Sequence, residues 1–409
     1  MEGNNTNREI ENRKRRNLLT LFFIVLFYGF GEGTFFIVYQ PFLLDITGSI
    51  FLTGVLITVF SIVQFLPAPF TGKISDKIGR KKMMLIDTPT RILGLFLLTV
   101  SNNVVLVTIG LICFFLAGVI GMSSFQILLS ESSNESKKGL MVGLIFFALF
   151  AGGIVGKFFI IVNKGFDARF YFFLFLVIEM INWAIIAGIL KDVKTKNNLK
   201  KIKKVRSTLS ERSVWSRIIT TPKFRVVLIF FTLDVFIWSI SGAVFIAGLR
   251  DHYGLTNNDI AFISIWFSIS NMIFQIPGGH LADRIGRKKS LVLSQCFGLV
   301  YFSLNIVAYF YWTMALVPIM LLLLSLGQFF VGISVSTFIP SEQMSLTNLD
   351  ENRKAESYGV VTFIRGLGII PTGIIAGFLI DYIHYLAPFI ITLAGILFEI
   401  WFLLKYFRD

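Results

Sequence analysis

The side chains in this sequence best placed to do chemistry are a few charges standing inside long apolar stretches. Glu32 lies fourteen residues into the run from Leu18 to Leu44, which a helical rise places about 21 Å along it. Tyr28, Glu32 and Tyr39 share one helical face, and Gly29, Gly31 and Gly33 flank the acid. Asp234 holds a matching place in a later run, aligning with Tyr28 one turn before Glu32, and shares its face with Trp238 and Ser241. Glu179 with Asn182 and Trp183 makes a further polar patch, and Arg365 with Thr362 and Thr372 another. Holding a charge at mid-bilayer costs at least about 2.5–3.5 kcal/mol, so groups kept there are functional candidates first. A carboxyl in such a setting can exchange a proton as its surroundings change from dry to wet, which coupling to a proton gradient requires. Arg91 reads as structural, because Asp87 precedes it by four residues in the better orientation for a helical ion pair. Arg365 has no partner nearby in sequence. It is expected either to meet Glu32 or Asp234 across a cavity or to bind an anionic solute.

Only lipid can be the solvent for the elements that position these groups. The chain is 55% hydrophobic and 15% charged, with mean hydropathy +0.75, whereas soluble domains carry about a quarter charged residues. Runs long enough to span a bilayer, roughly 20 residues each, fall at 18–44, 50–70, 83–101, 104–129, 139–162 and 169–190, then at 225–249, 259–278, 290–308, 313–338, 356–380 and 385–406. The expected fold is therefore an all-α membrane protein, twelve transmembrane helices in two six-helix bundles. The bundles are 18–190 and 225–406, with a tail at 1–17 and a basic linker at 191–224. The first run is too long for a signal peptide and lacks a small-residue cleavage site, so it reads as a retained span.

The net charge of +14 first suggests a nucleic-acid binder, and its placement argues otherwise. With both termini in the cytoplasm, all but six of the 38 Lys and Arg lie on that side. The exceptions are Arg91 and Arg365 within helices, and Lys157, Lys164, Arg169 and Arg250 at or near the outer side. That asymmetry satisfies the positive-inside rule, and no nucleic-acid partner is expected. The linker, rich in Lys and Arg, is expected to lie against anionic lipid headgroups. The chain is read as a multi-pass plasma-membrane protein acting as a monomer.

One turn occurs twice, between the second and third run of each half. The copies are Gly72-Lys-Ile-Ser-Asp76-Lys-Ile-Gly79-Arg80-Lys-Lys and Gly279-His-Leu-Ala-Asp283-Arg-Ile-Gly286-Arg287-Lys-Lys, 207 residues apart. Gly72 and Gly279 would let a neighbouring helix approach closely, and Gly79 and Gly286 would permit the tight turn. Asp76 and Asp283 are suited to accept from helix N-terminal amides. Glu131 and Glu342, where the fourth and tenth helices end, are expected to pair with the motif basics of their own halves.

Both turns resemble the loop signature of the major facilitator superfamily, Gly-x-Leu-Ala-Asp-x-x-Gly-Arg-Lys. The second copy matches almost letter for letter, and the first has Ile74 and Ser75 at the Leu-Ala positions. The six-plus-six plan extends the resemblance over nearly the whole chain. It implies that Asp76, Arg80, Asp283 and Arg287 latch the halves together in the outward-facing state. It also implies that the first, fourth, seventh and tenth helices line the cavity, which favours Glu32 and Asp234 over Glu179. Gly143, Gly152 and Gly156 of the fifth helix resemble a glycine signature of antiporter branches, except that Lys157 stands where that signature has Pro. The Arg that family exporters often carry three residues before a fourth-helix Gly is replaced by Phe115, before Gly118.

These readings converge on a secondary transporter of small organic solutes, expected to be a proton-driven exporter using Glu32, with Asp234 as second titrating group and Tyr28 and Trp238 beside them. The alternatives are an importer or exchanger of organic anions with Arg365 as counter-charge, and a transporter-like membrane sensor. No nucleophile–base pair, metal cluster or phosphate loop appears, so no enzyme, metal or bound cofactor is expected, and the proton gradient is the expected driving force. An ATP-driven pump is excluded by the lack of a Gly-x-x-x-x-Gly-Lys-Ser/Thr loop.

Overall fold

The computed structural model describes residues 2–68, 70–71, 74, 78–132, 138–191, 222–347 and 354–407. The N-terminal half consists of α1 (Glu2–Thr47), α2 (Ile50–Phe65), α3 (Arg80–Val100), α4 (Val104–Ser132), α5 (Lys138–Val162) and α6 (Ala168–Gly188). The C-terminal half consists of α7 (Pro222–Gly242), α8 (Phe245–Tyr253), α9 (Asn257–Ile285), α10 (Arg287–Thr313), α11 (Val317–Thr347), α12 (Lys354–Ile369), α13 (Thr372–Phe378) and α14 (Ala387–Tyr406). Eleven helices among the described residues are long and apolar enough to cross a membrane, counting α7 with α8 and α12 with α13 as single spans, and α2 is a shorter apolar helix. These make the twelve-span plan expected from sequence.

Local chemistry explains where the elements begin and break. Thr256 caps α9 through a capping box, its side chain accepting from the Asp259 amide while Asp259 accepts from the Thr256 amide. The eleventh span is not one helix, as 356–380 suggested. Pro371 supplies no amide proton, so α12 ends at Ile369, α13 restarts at Thr372, and a wide π turn follows at Leu379–Ile383. The seventh span likewise breaks after Gly242 before α8 resumes at Phe245. At the other extreme α1 runs back to Glu2, well before Leu18, through a stretch from Arg8 to Arg16 in which Arg, Glu and Lys are good helix formers.

Packing repeats across the two halves. In the first, α3 packs on α4 and α6, and α1 on α5 and α6; in the second, α10 packs on α11 and α14, and the seventh span on α14 and α12. The halves meet chiefly along two seams, α5 against α9 and α2 against α13, with smaller contacts of α1 on α8 and α9 and of α2 on α8 and α12. At the second seam a side chain on Gly54 would run into the backbone of Gly373, and one on Gly373 into Gly54, so the crossing requires hydrogen at both positions. Large apolar side chains such as Phe158 (58% exposed), Ile276 (64%) and Leu404 (59%) face outward. Water would penalise such a surface, and acyl chains do not.

A cavity between the halves and the polar networks behind its wall

A cavity of about 730 Å³ opens between the two bundles. Residues from the first, second, fourth and fifth spans line one side, including Glu32, Gln64, Phe115 and Lys157, and those of the seventh to eleventh the other, including Trp238, Phe267 and Gln328. Glu32 and Trp238 therefore stand on the cavity wall. Tyr28 and Asp234 do not line it and belong to networks one layer behind.

The cavity acid and the cavity base come from neighbouring helices. Lys157, 8% exposed, turns its ammonium inward to donate to the Ser268 hydroxyl at 2.7 Å and the Ser264 carbonyl at 3.1 Å. Both acceptors are on α9, so this side chain crosses the seam between the halves. Glu32 and Lys157 lie within electrostatic range of one another, as do Glu32 and Arg91. Lys157 lies near the outer side as expected, and the structure adds the direction of its side chain. Although five residues from the end of α5, it is folded into the cavity, because the two α9 oxygens and the Phe267 ring (5.8 Å) solvate its charge. Close packing of α5 on α1 brings it there: side chains on Gly152 and Gly156 would collide with the α1 backbone at Leu26 and Phe30. Gly143 has open space around it, so close packing accounts for two of the three signature glycines.

Behind Glu32, the N-terminal half holds an ion-paired cluster. Arg91 donates to Glu179 at 3.0 Å and pairs with Asp87 at 3.5 Å, and its guanidinium lies 4.8 Å from the centre of the Tyr28 ring. Asn182 donates to the other Glu179 oxygen at 3.2 Å, and Thr88 to Asp87 at 2.9 Å. The sequence pairing of Asp87 with Arg91 holds, and Glu179 is the closer partner.

Behind Trp238, the C-terminal half holds a different cluster. The Gln295 amide donates to Asp234 at 2.6 Å, and the Trp238 indole donates to the Gln295 carbonyl oxygen at 3.1 Å. Glu399 of α14, 1% exposed, lies beside Asp234 and Trp238 with both carboxyl oxygens lacking a hydrogen-bond partner among the described residues. Arg365 is not in contact with Glu32 or Asp234. It forms an ion pair with Glu342 and lies within electrostatic range of Asp234. That same pair corrects the expectation for Glu342, which meets Arg365 of the neighbouring span and not Arg287, because α12 brings the guanidinium to the buried end of α11.

The two turns keep their symmetry in backbone terms. Gly79 has φ 97° and ψ 155°, and Gly286 has φ 85° and ψ 163°. This region is open essentially to glycine alone, so both copies start the following helix by the same device. Arg80 is buried (6% exposed). Gly72, Asp76 and the side chain of Glu131 lie outside the described residues. Gly279 does not serve a close helix approach here, since an added Cβ would meet nothing within 4 Å. Asp283 is exposed and makes no hydrogen bond or ion pair with a described residue, so the amide-capping role expected for it is not seen.

Hydrogen bonds between the halves, among the described residues, lie from mid-membrane to the end away from the termini. Gln40 of α1 donates to the Ala243 carbonyl at 2.9 Å and accepts from the Ala247 amide at 3.0 Å. Asp381 accepts from the Ser49 hydroxyl at 2.8 Å and the Phe51 amide at 2.9 Å. Asn258 donates to the Ile160 carbonyl at 2.6 Å, and Thr58 accepts from the Ile374 amide at 3.0 Å.

Sequence reasoning missed Gln295, Glu399, Gln40 and the cavity role of Lys157. Glu399 and Lys157 did leave a signal, each a lone charge within an apolar run. The two glutamines left none, because an amide in a span looks the same whether it faces a neighbour or a cavity.

A family model described as Major Facilitator Superfamily matches residues 21–246 and 228–409. Multidrug resistance protein 2 of Bacillus subtilis (strain 168) is 24% identical over 351 residues, covering 82% of this chain and 82% of the relative. The Tetracycline resistance protein, class B, of Escherichia coli is 21% identical over 248 residues, 59% of each chain. Among solved structures, a single-residue mutant of the nucleoside transporter NupG superposes with a TM-score of 0.70 at 14% identity, covering 96% of this chain and 100% of that one. The human organic anion transporter MFSD10 (TETRAN) does so with a TM-score of 0.68 at 13% identity, over 95% and 99%.

Proposed function

Because the chain belongs to the Major Facilitator Superfamily, we propose that it is a secondary active transporter that moves a small organic solute by alternating access, exporting it against proton entry. The observation that carries this reading is the position of Glu32, an ionisable acid on the wall of a cavity shared by two pseudo-symmetric bundles. Such a site at the repeat interface is where rocking of the halves exposes a group first to one side and then to the other. The names of the two resistance proteins above support the outward direction. Asp234, beside Glu399 and joined through Gln295 to Trp238, is the second titrating group in this scheme.

With the termini in the cytoplasm of the plasma membrane, the bonds of Gln40, Asp381 and Asn258 close the outer end, and the described state faces inward. The repeated turns then act in the opposite state, where Asp76, Arg80, Asp283 and Arg287 would latch the cytoplasmic ends.

The test is solute-driven proton movement in proteoliposomes containing a trapped pH dye. Addition of a transported solute is expected to move protons through the wild-type protein. Glu32→Gln is expected to reduce gradient-driven flux at least about 10-fold while leaving solute–solute exchange in place. Full pH dependence retained in Glu32→Gln would overturn the coupling role.

A further inference from the structure

We infer that Lys157 is the anchoring site for an anionic group on the cargo, so that the solutes moved are amphipathic organic anions or zwitterions with an aromatic or apolar body. This deepens the transport reading of the cavity and rests on it.

Three observations point the same way. Lys157 lines the cavity, yet its neighbours within hydrogen-bond distance are two neutral oxygens, those of Ser264 and Ser268. No carboxylate lies within ion-pair distance of it among the described residues. An ammonium shielded from water and held by neutral acceptors alone is under-compensated, and burying it without a counter-ion is costly. The free protein tolerates it because Glu32 lies within electrostatic range. Any event that neutralises Glu32 leaves net positive charge in the cavity, and an entering anion satisfies it.

The other cations do not compete for this role. Arg91 is taken up by Asp87 and Glu179, and Arg365 by Glu342. A cationic cargo approaching Glu32 would enter a cavity that already holds the Lys157 ammonium within electrostatic range of that acid, and like charges among low-dielectric walls repel. The rest of the wall selects the body of the solute, since Phe36, Phe60, Phe115, Phe150, Phe267 and Phe302 line the same cavity. A solute carrying a carboxylate, sulfonate or phosphate on an aromatic frame matches both parts. Because the ammonium bonds across the seam to α9, its capture by cargo also removes a tie between the halves at the step when they must part.

The experiment uses the full-length protein in nanodiscs, without any gradient, and three probes of one shape: 2-naphthoate, 2-naphthamide and 2-naphthylmethylammonium. Binding is read by calorimetry. The expected order is naphthoate tightest, naphthamide weaker and the ammonium weakest. Lys157→Met should cut the preference for naphthoate over naphthamide by about 10-fold or more, the scale of a lost hydrogen bond to a charged group. Lys157→Arg should keep most of it, and Glu32→Gln should strengthen naphthoate binding. Tightest binding of the ammonium, equal binding of all three probes, no binding of naphthoate to the wild type, or an unchanged preference in Lys157→Met would each overturn the inference. The wild-type order alone decides the matter if the methionine variant does not fold. Proton coupling plays no part in this equilibrium measurement. Failure here with solute-driven proton flux intact would sink the anion site alone, and loss of coupling with the naphthoate preference intact would sink the proposed function alone.

Discussion

The two halves share a packing plan but handle buried charge in opposite ways. In the N-terminal half, Arg91 sits between Asp87 and Glu179, so each acid has a cation and most of the remaining oxygens have donors. In the C-terminal half, the corresponding layer holds Asp234 and Glu399 with one amide, Gln295, and one indole, Trp238. The nearest arginine, Arg365, is engaged by Glu342. One half carries a closed ion cluster and the other an acid-rich one without its own base. A duplicated scaffold thus supports both a rigid clamp, which fixes α1, α3 and α6 behind Glu32, and a polar layer whose charge is left open.

The largest effect separating the halves should come from Arg91→Met. Removing the cation strands two buried carboxylates, and breaking such a cluster costs about 3–5 kcal/mol, read as a large fall in thermal unfolding temperature in detergent. The matching change in the other half, Glu399→Met, should be neutral or stabilising by up to about 2 kcal/mol, since both oxygens lack partners and the site is closed to water. Equal losses for the two variants would remove the contrast. An intermediate effect is expected for Gly54→Val, whose side chain meets the Gly373 backbone. It should wedge the α2–α13 seam and raise labelling of a cysteine introduced near Phe51, and unchanged labelling would mean the seam does not govern opening. The smallest effect should be that of Gln40→Ala. It removes two bonds between the halves, worth roughly 0.5–1.5 kcal/mol each, and should shift the same labelling only a few-fold.

The contrast also bears on why some roles were readable and others were not. Glu32 was legible because an acid amid Gly29, Gly31 and Gly33 in a long apolar run is conspicuous, and it does line the cavity. Asp234 was equally conspicuous but stands one layer back, with Trp238 at the wall in its place. Helical periodicity gives the face of a residue, whereas the distance from that face to the cavity depends on what neighbouring helices insert between. Arg365 shows the same limit, since its partner Glu342 lies on an adjacent span and no spacing rule links them.

Residue order alone is enough to settle the solvent, the number of spans, the duplication and the turn. These depend on apolar run length and on glycines whose φ near +90° recurs in both copies. The tertiary structure alone decided which charges meet: Arg91 with Glu179, Arg365 with Glu342, and Lys157 with the oxygens of α9. The reason is physical. Span length and turn geometry are local and one-dimensional, while the low-dielectric interior makes each buried charge choose its partner by approach across helices that are distant in the chain.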